Sequence, residues 1–514
     1  MTSLVLFVLL GVSKEIGPTA NLPNEVAQLQ PGDELILQGG TYNGTGFWLI
    51  SVSGTAAQPI TIRSKTGERA HYRLASTTQN IVNISGRYLV FKDLEFSGGS
   101  RGLRFQSGAS FITVEGCEVH GTADVAIAAN DTGATYDGFR FIGNHVHHMS
   151  GTAEGFYLGC NNAACRFVNG VIERNWVHDT VNAVQGDGIE LKEGSYGNVI
   201  RDNVIHDVNY PCITLYSASP FGAQPNLVER NVMWHCGDHG LQVSRDAVIR
   251  NNIVLSAAVE GISVRGHAQV DAGSGNVQVL HNTVLGTGSA GIAIRNAISP
   301  VLIVNNAVYS TTPVNNLSGA NAVLRGNVTM GSLANDFVAA SASGTLPNDV
   351  YPKLGGALVD AGDPTAMVAD DFNGTPRGLP VTVGAYQFAA TGNPGGGIDA
   401  GFKAAPRDAG MGGTGGGSGA GGGAATGGGS ATGGGSANGG GSATGGGTAN
   451  GGGSATAGGS GGTGGGSGTA GGSSGTGGGE EEGPGGCGCS SGEGALLLLA
   501  LAGLRRRRSA SRSR

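Results

Sequence analysis

The chain has 514 residues, and 98 of them are glycine, against a usual share of roughly 7%. No Gly-X-Y period with matching proline runs through it, which excludes collagen. The first 390 residues carry 31 acidic against 22 basic side chains, which excludes a duplex-DNA binder built on a basic face and leaves no nucleic-acid partner. The same excess disfavours polyanionic glycans unless a metal or a local basic groove intervenes. Of the glycines, 47 lie in those first 390 residues and 51 in the remaining 124. The later stretch has one aromatic, Phe402, and cannot bury a core.

In chain order, Leu4-Val-Leu-Phe-Val-Leu-Leu10 is an apolar run of signal-peptide length, so residues 1–13 are expected to direct export. A buried first strand is the alternative. A β domain is expected over 20–390, with a closing segment at 337–390. Within it, Asn-centred phrases recur, among them Val171-Ile-Glu-Arg-Asn175-Trp-Val-His, Val199-Ile-Arg-Asp-Asn203-Val-Ile-His and Leu227-Val-Glu-Arg-Asn231-Val-Met-Trp. The phrase returns at Asn144, Asn252, Asn282, Asn306 and Asn327, and Cys117 occupies the same slot one period earlier. Between these phrases stand glycine-led strands such as Gly155-Phe-Tyr-Leu, Gly188-Ile-Glu-Leu and Gly240-Leu-Gln-Val. Period-two alternation predicts short strands, and one such turn closes a core only when stacked on others. Asn at a fixed slot suits a turn, because it tolerates left-handed backbone and its amide can bond the next Asn.

These phrases resemble the right-handed parallel β-helix repeats of the pectate-lyase-like superfamily, from about residue 31 to residue 328. Pro31-Gly-Asp-Glu-Leu-Ile-Leu-Gln-Gly-Gly-Thr-Tyr42 is similar to the first turn of such proteins, and Ala57-Gln-Pro-Ile-Thr-Ile-Arg63 to the next strand. Asp371-Phe-Asn-Gly-Thr-Pro-Arg377 with Val383-Gly-Ala-Tyr386 resembles their closing segment. The expected fold is all-β, a single-stranded right-handed parallel β-helix, and a monomer is the expected form. Cys160 and Cys165 bracket a tight loop and are the expected disulfide in an exported protein; Cys212 with Cys236 stays open.

Residues 391–486 read as a flexible Gly/Ser/Thr/Ala linker with a span on the order of 50–60 Å. Cys487-Gly-Cys489, an apolar run at 495–504 and four arginines at 505–508 follow. This order resembles the myxobacterial C-terminal sorting signal, which implies processing near Cys487 and Cys489 and anchoring at the cell envelope or release. The apolar run is about 15 Å of helix, too short to span a bilayer alone.

Chemistry is expected on the outward positions of the glycine-led strands, Arg104, Tyr157, Glu190, Thr214, Gln242, Ser263 and Ala293. Long loops at 159–170, 216–226 and 265–276 alternate with short turns at 192–198 and 244–246, so the short turns are expected to floor a cleft. The densest charge cluster there is Asp187-Gly-Ile-Glu-Leu-Lys-Glu193. Asp187, Glu190 and Glu193 are candidate ligands for Ca²⁺, which takes oxygen donors and neutralises a uronate carboxylate. Lys192, with its pKa depressed by burial, or Tyr216 is the candidate base. The stretch loosely resembles the metal-and-lysine turn of the chondroitinase-B and alginate-lyase branch. That resemblance implies β-elimination, with Arg245 standing in for the family's arginine, whose place falls on Tyr216. Tyr157, Gln242 and His239 are candidate polysaccharide-binding residues. A non-catalytic adhesin or glycan-binding module fits the same residues, as does a solvated ion-pair patch. Hydrolysis by paired carboxylates lacks its residues in the repeats, since no Asp-Asp pair occurs within 31–328. His120, His147, His178 and His206 fall in one column, expected as a stacked ladder, because zinc needs donors converging on one point.

Overall fold

In this computed structural model, residues 11–180, 183–218, 221, 224–267, 273–399 and 402 are described. They form a right-handed parallel β-solenoid of about ten turns. Three parallel sheets of 13, 11 and 11 strands run along it. One turn supplies one strand to each, for example Val171–Glu173 to the first, Trp176–His178 to the second and Ile189–Leu191 to the third. The alternation seen in the sequence sets which face is inside: Ile172, Val177, Ile189 and Leu191 are all buried in the shaft. Burying each such side chain contributes about 1.5–3 kcal/mol, which a single turn cannot realise alone.

The recurrent asparagines form one buried ladder at the corner between the first and second sheets. From Asn144 through Asn175, Asn203, Asn231, Asn252, Asn282 and Asn306 to Asn327, each Nδ2 donates to the next Oδ1 at 2.9–3.0 Å. Each Oδ1 also accepts from the backbone N–H of the preceding ladder residue, and Cys117 N donates to Asn144 Oδ1 at 3.0 Å. Every amide is thus paired, as a buried polar group requires. The left-handed backbone expected of these asparagines belongs instead to the residue before each. Arg174, Asp202, Arg230 and Asn251 have φ of 55–56°, which frees the ladder side chain to point inward. The glycines leading the third-sheet strands are required by close approach. A Cβ on Gly188 would sit 2.5 Å from the Cys212 carbonyl, and one on Gly240 would sit 2.3 Å from Val254.

The first strand, Ser13–Ile16, pairs in parallel with Glu34–Leu37 and so starts ahead of residue 20. A short helix, Leu22–Val26, covers that end, with Asn21 as N-cap and Pro23 in its first turn. The closing segment lies across the outer face of the second sheet, where Phe337, Tyr351, Phe372 and Tyr386 pack with Trp234, Ile253 and Leu255. Buried Arg377 pins it, donating to Asn251 Oδ1 at 2.9 Å and to the carbonyls of Gly384 and Ala385. Among the described residues, no helix is long and apolar enough to cross a membrane. Cys487, Cys489 and nearly all of the linker lie outside the described residues.

Candidate functional site

The third sheet presents three parallel columns of polar side chains, because equivalent residues of successive turns pair in register. Its centre is Tyr157, Glu190, Thr214, Gln242 and Ser263, the column expected from the sequence, with Ala128 inserted between Arg104 and Tyr157. The leading edge carries Glu154, Asp187, His239 and Glu260, whose carbonyls accept from the amides of Ala126, Gly155, Cys212 and Gly240, each the residue just ahead of the third-sheet strand on the preceding turn. The trailing edge carries Lys192, Tyr216 and Ser244, whose amides donate to Leu158, Leu191 and Leu215. Arg265, paired with Arg295, continues that edge.

The charge cluster is not a solvated patch. Asp187, Glu190, Lys192 and Glu193 are 6%, 4%, 7% and 5% exposed. Lys192 Nζ contacts Glu190 Oε1 at 2.5 Å. It also lies 4.6 Å from the Tyr157 ring centre and 4.8 Å from that of Tyr216, so the ammonium is held by one carboxylate and two aromatic faces. The His267 ring meets Tyr216 edge-on at 5.2 Å. Its Nδ1 is buried with no hydrogen-bond partner among the described residues. On the other edge, Thr214 Oγ1 donates to Asp187 Oδ1 at 2.6 Å.

These surroundings set the protonation states. Burial pulls Lys192 down, but Glu190 and then the two tyrosines more than offset it and hold the lysine well above its ordinary value. The depressed, basic lysine expected from the sequence is therefore corrected: with a carboxylate in contact, Lys192 is an ammonium. Burial, reinforced by Glu190, raises Asp187 well above the carboxylate range and lifts Glu154 to about 7. Burial also lifts Tyr157 to about 12 and raises Tyr216 further. His267 is lowered by burial and then by Lys192, leaving a neutral imidazole.

The candidate calcium ligands Asp187, Glu190 and Glu193 lie in this same buried cluster. Among the described residues, three-ligand groups with converging donor atoms do not include Asp187, Glu190 and Glu193. The Glu190 oxygen is spent on Lys192, and Asp187 favours its neutral form. His239, expected at the substrate, is 3% exposed and sits at the opposite edge from Lys192, where its Nδ1 accepts from Glu260 N. Arg245 follows Ser244 and opens a first-sheet strand, Arg245–Arg250, just past the column of Lys192; its Nε is buried without a hydrogen-bond partner among the described residues. Sequence reasoning missed Glu154 and His267. Glu154 directly precedes a strand-leading glycine, as Asp187 does, and that shared slot was its signal. His267 lies in a loop with no repeat to place it. The disulfide Cys160–Cys165 is present, and Cys212–Cys236 forms a second, leaving Cys117 free and buried in the ladder corner.

Comparison with known proteins gives two family matches. The right-handed β-helix region matches residues 137–308, and chondroitinase B matches residues 16–120. No curated protein matches the chain. Among solved structures, an alginate lyase from a Paenibacillus species is 20% identical with a TM-score of 0.41, covering 62% of this chain and 99% of its own. A pectate lyase is 16% identical with a TM-score of 0.44, covering 74% and 96%. A mannuronic-acid-specific lyase from human gut microbiota is 16% identical with a TM-score of 0.40, covering 63% and 92%.

Proposed function

We propose that the chain binds a uronate-containing polysaccharide along the outer face of the third sheet and cleaves it by β-elimination. The observation that carries this reading is the Lys192 ammonium set between Tyr157 and Tyr216, with the His267 ring edge-on to Tyr216. Tyrosine rings flanking a cation give a sugar both an apolar platform and a counter-charge for its carboxylate. In this reading Lys192 pairs with the uronate carboxylate and stabilises the charge that builds on it once the neighbouring C–H is deprotonated. Neutral His267 takes that proton. The electron pair forms the C4–C5 double bond, the C4–O bond breaks, and the Tyr216 hydroxyl, kept protonated by its raised pKa, protonates the leaving oxygen. Calcium held by Asp187, Glu190 and Glu193 has no part in it.

The test is direct. The purified chain is incubated with alginate, pectate and chondroitin, and the ultraviolet absorbance of the unsaturated product is followed. Turnover on one substrate, lost in Lys192→Ala and in His267→Ala, is the expected result. Turnover undiminished in Lys192→Ala sinks the site. One observation favours a second reading, glycan binding without turnover: Glu190 already neutralises Lys192. Retention of a glycan on the chain with no absorbance change supports that module instead.

We also infer export and attachment at the cell envelope through the C-terminal segment. Two disulfides in one body suit an oxidising compartment. Fractionating the producing cells, and mapping the mature C-terminus by mass spectrometry, tests both the address and processing near Cys487 and Cys489.

A further inference from the structure

Eight of the chain's eleven histidines, His71, His120, His145, His147, His148, His178, His206 and His235, lie on or beside the outer face of the second sheet. The column expected from the sequence is there: rings of His120, His147, His178 and His206 stack 5.0–5.2 Å apart, within 2–4° of parallel, and end on Trp234. A second column runs beside it, two residues earlier on each strand and on the same face. It brings Glu95 next to Glu118, and Glu118 next to His145. A single line of rings cannot converge on one point, but two adjacent lines can.

They do so twice. Glu95 Oε1 lies 3.4 Å from His71 Nε2 and 3.2 Å from His120 Nε2. Glu118 Oε1 lies 3.1 Å from His147 Nε2 and 3.8 Å from His145 Nδ1. Within each set, all three donor atoms fall inside 4.8 Å of one another, and each side chain is partly open to solvent. A tetrahedron with bonds of about 2.0–2.1 Å has edges of roughly 3.3–3.4 Å, so these spacings require only small side-chain adjustments to close on one ion. Two imidazoles and one carboxylate form a donor set suited to zinc and its neighbours rather than to calcium. The outer nitrogen of His147 is also engaged, its Nδ1 meeting His148 Nδ1 at 2.6 Å. That is the arrangement in which a ligating ring is oriented from behind.

We propose that this stripe is a binding site for divalent transition-metal ions of the zinc class, with one ion at Glu118, His145 and His147 and a second at His71, Glu95 and His120. Neither set shares a residue with the third-sheet site, so the inference stands whether or not that site turns over a glycan.

The test uses the purified full chain, stripped of metal and titrated with Zn²⁺ against a chromophoric chelator. Two ions retained per chain are expected. Glu118→Gln, a conservative change at a partly exposed side chain, should leave one, Glu95→Gln should leave one, and the double variant none. Co²⁺ substitution gives a second readout, since visible absorption from imidazole-bound cobalt should fall by about half in each single variant and vanish in the double. Circular dichroism confirms that the variants remain folded. The proposal is overturned if the wild-type chain yields all its metal to the chelator, or if the double variant keeps as many ions as the wild type.

Discussion

Two polar faces of the same coil are built by opposite rules. On the second sheet, successive turns repeat one residue type, and imidazoles stack on imidazoles until Trp234 ends the row. On the third, each turn brings a different group, so tyrosine, glutamate, threonine and glutamine follow one another in one column. Repetition yields a row whose rings stack on one another while each also meets a carboxylate beside it. Variation yields a cluster of unlike charges, buried deeply enough that each protonation state depends on its neighbours. The difference teaches that a solenoid's outward positions are equivalent only in geometry.

The largest expected effect separates buried from surface charge. Glu190→Ala leaves the Lys192 ammonium buried without its carboxylate and should cost about 3–5 kcal/mol of stability. Glu118→Gln, at a partly exposed carboxylate of the stripe, should cost about 1 kcal/mol or less. Urea denaturation of the two variants decides it, and equal losses break the comparison. Next in size, Lys192→Ala should lower turnover by about 10²–10³-fold while keeping both bound zinc ions, read from the absorbance assay and the chelator titration.

A smaller effect has opposite signs on the two faces. Glu154 is lifted by burial to about 7 from an ordinary 4.5, so the folded chain holds a proton that the unfolded chain has released. Its destabilising contribution therefore appears as pH rises above about 4.5 and is complete above about 7. Glu154→Gln should raise the melting temperature relative to wild type at about pH 8 and leave it unchanged near pH 4. His206 is lowered by burial, so there the folded chain binds fewer protons than the unfolded chain. Stability is lost as pH falls through about 6.5, and His206→Asn should flatten that fall in a thermal-melt series. The smallest effect is that of calcium. Because a Glu190 oxygen lies against Lys192 and burial raises Asp187 well above the carboxylate range, added Ca²⁺ or EDTA should change turnover by less than about twofold.

The coil was legible because its signals are local and repeated. An asparagine every turn, a glycine before each third-sheet strand and period-two alternation all report backbone geometry that recurs. The central column from Tyr157 to Ser263 was legible for the same reason. Lys192 is legible by its position but its charge state is not, since its contact with Glu190, two residues back and inside the strand that ends at Leu191, is not visible as a distance. Glu154 and His267 were missed because they join the site from other turns. The histidine ladder is legible as one column, but its neighbour at Glu95, Glu118 and His145 is not, because those residues do not repeat.

The sequence alone determined the all-β repeat, the asparagine ladder, the disulfide at Cys160 and Cys165, and which positions face outward. Each of these follows from residue type and spacing along one strand or one turn. Only the tertiary structure decided that Lys192 stays charged, that a Glu190 oxygen lies against it, and that two columns of the second sheet bring imidazole and carboxylate atoms within 4.8 Å of one another. Those outcomes depend on distances between side chains from different positions and turns, and on how far burial removes them from water. Spacing along the chain fixes the column a residue joins, but the electrostatics within and between columns is set only when the turns stack.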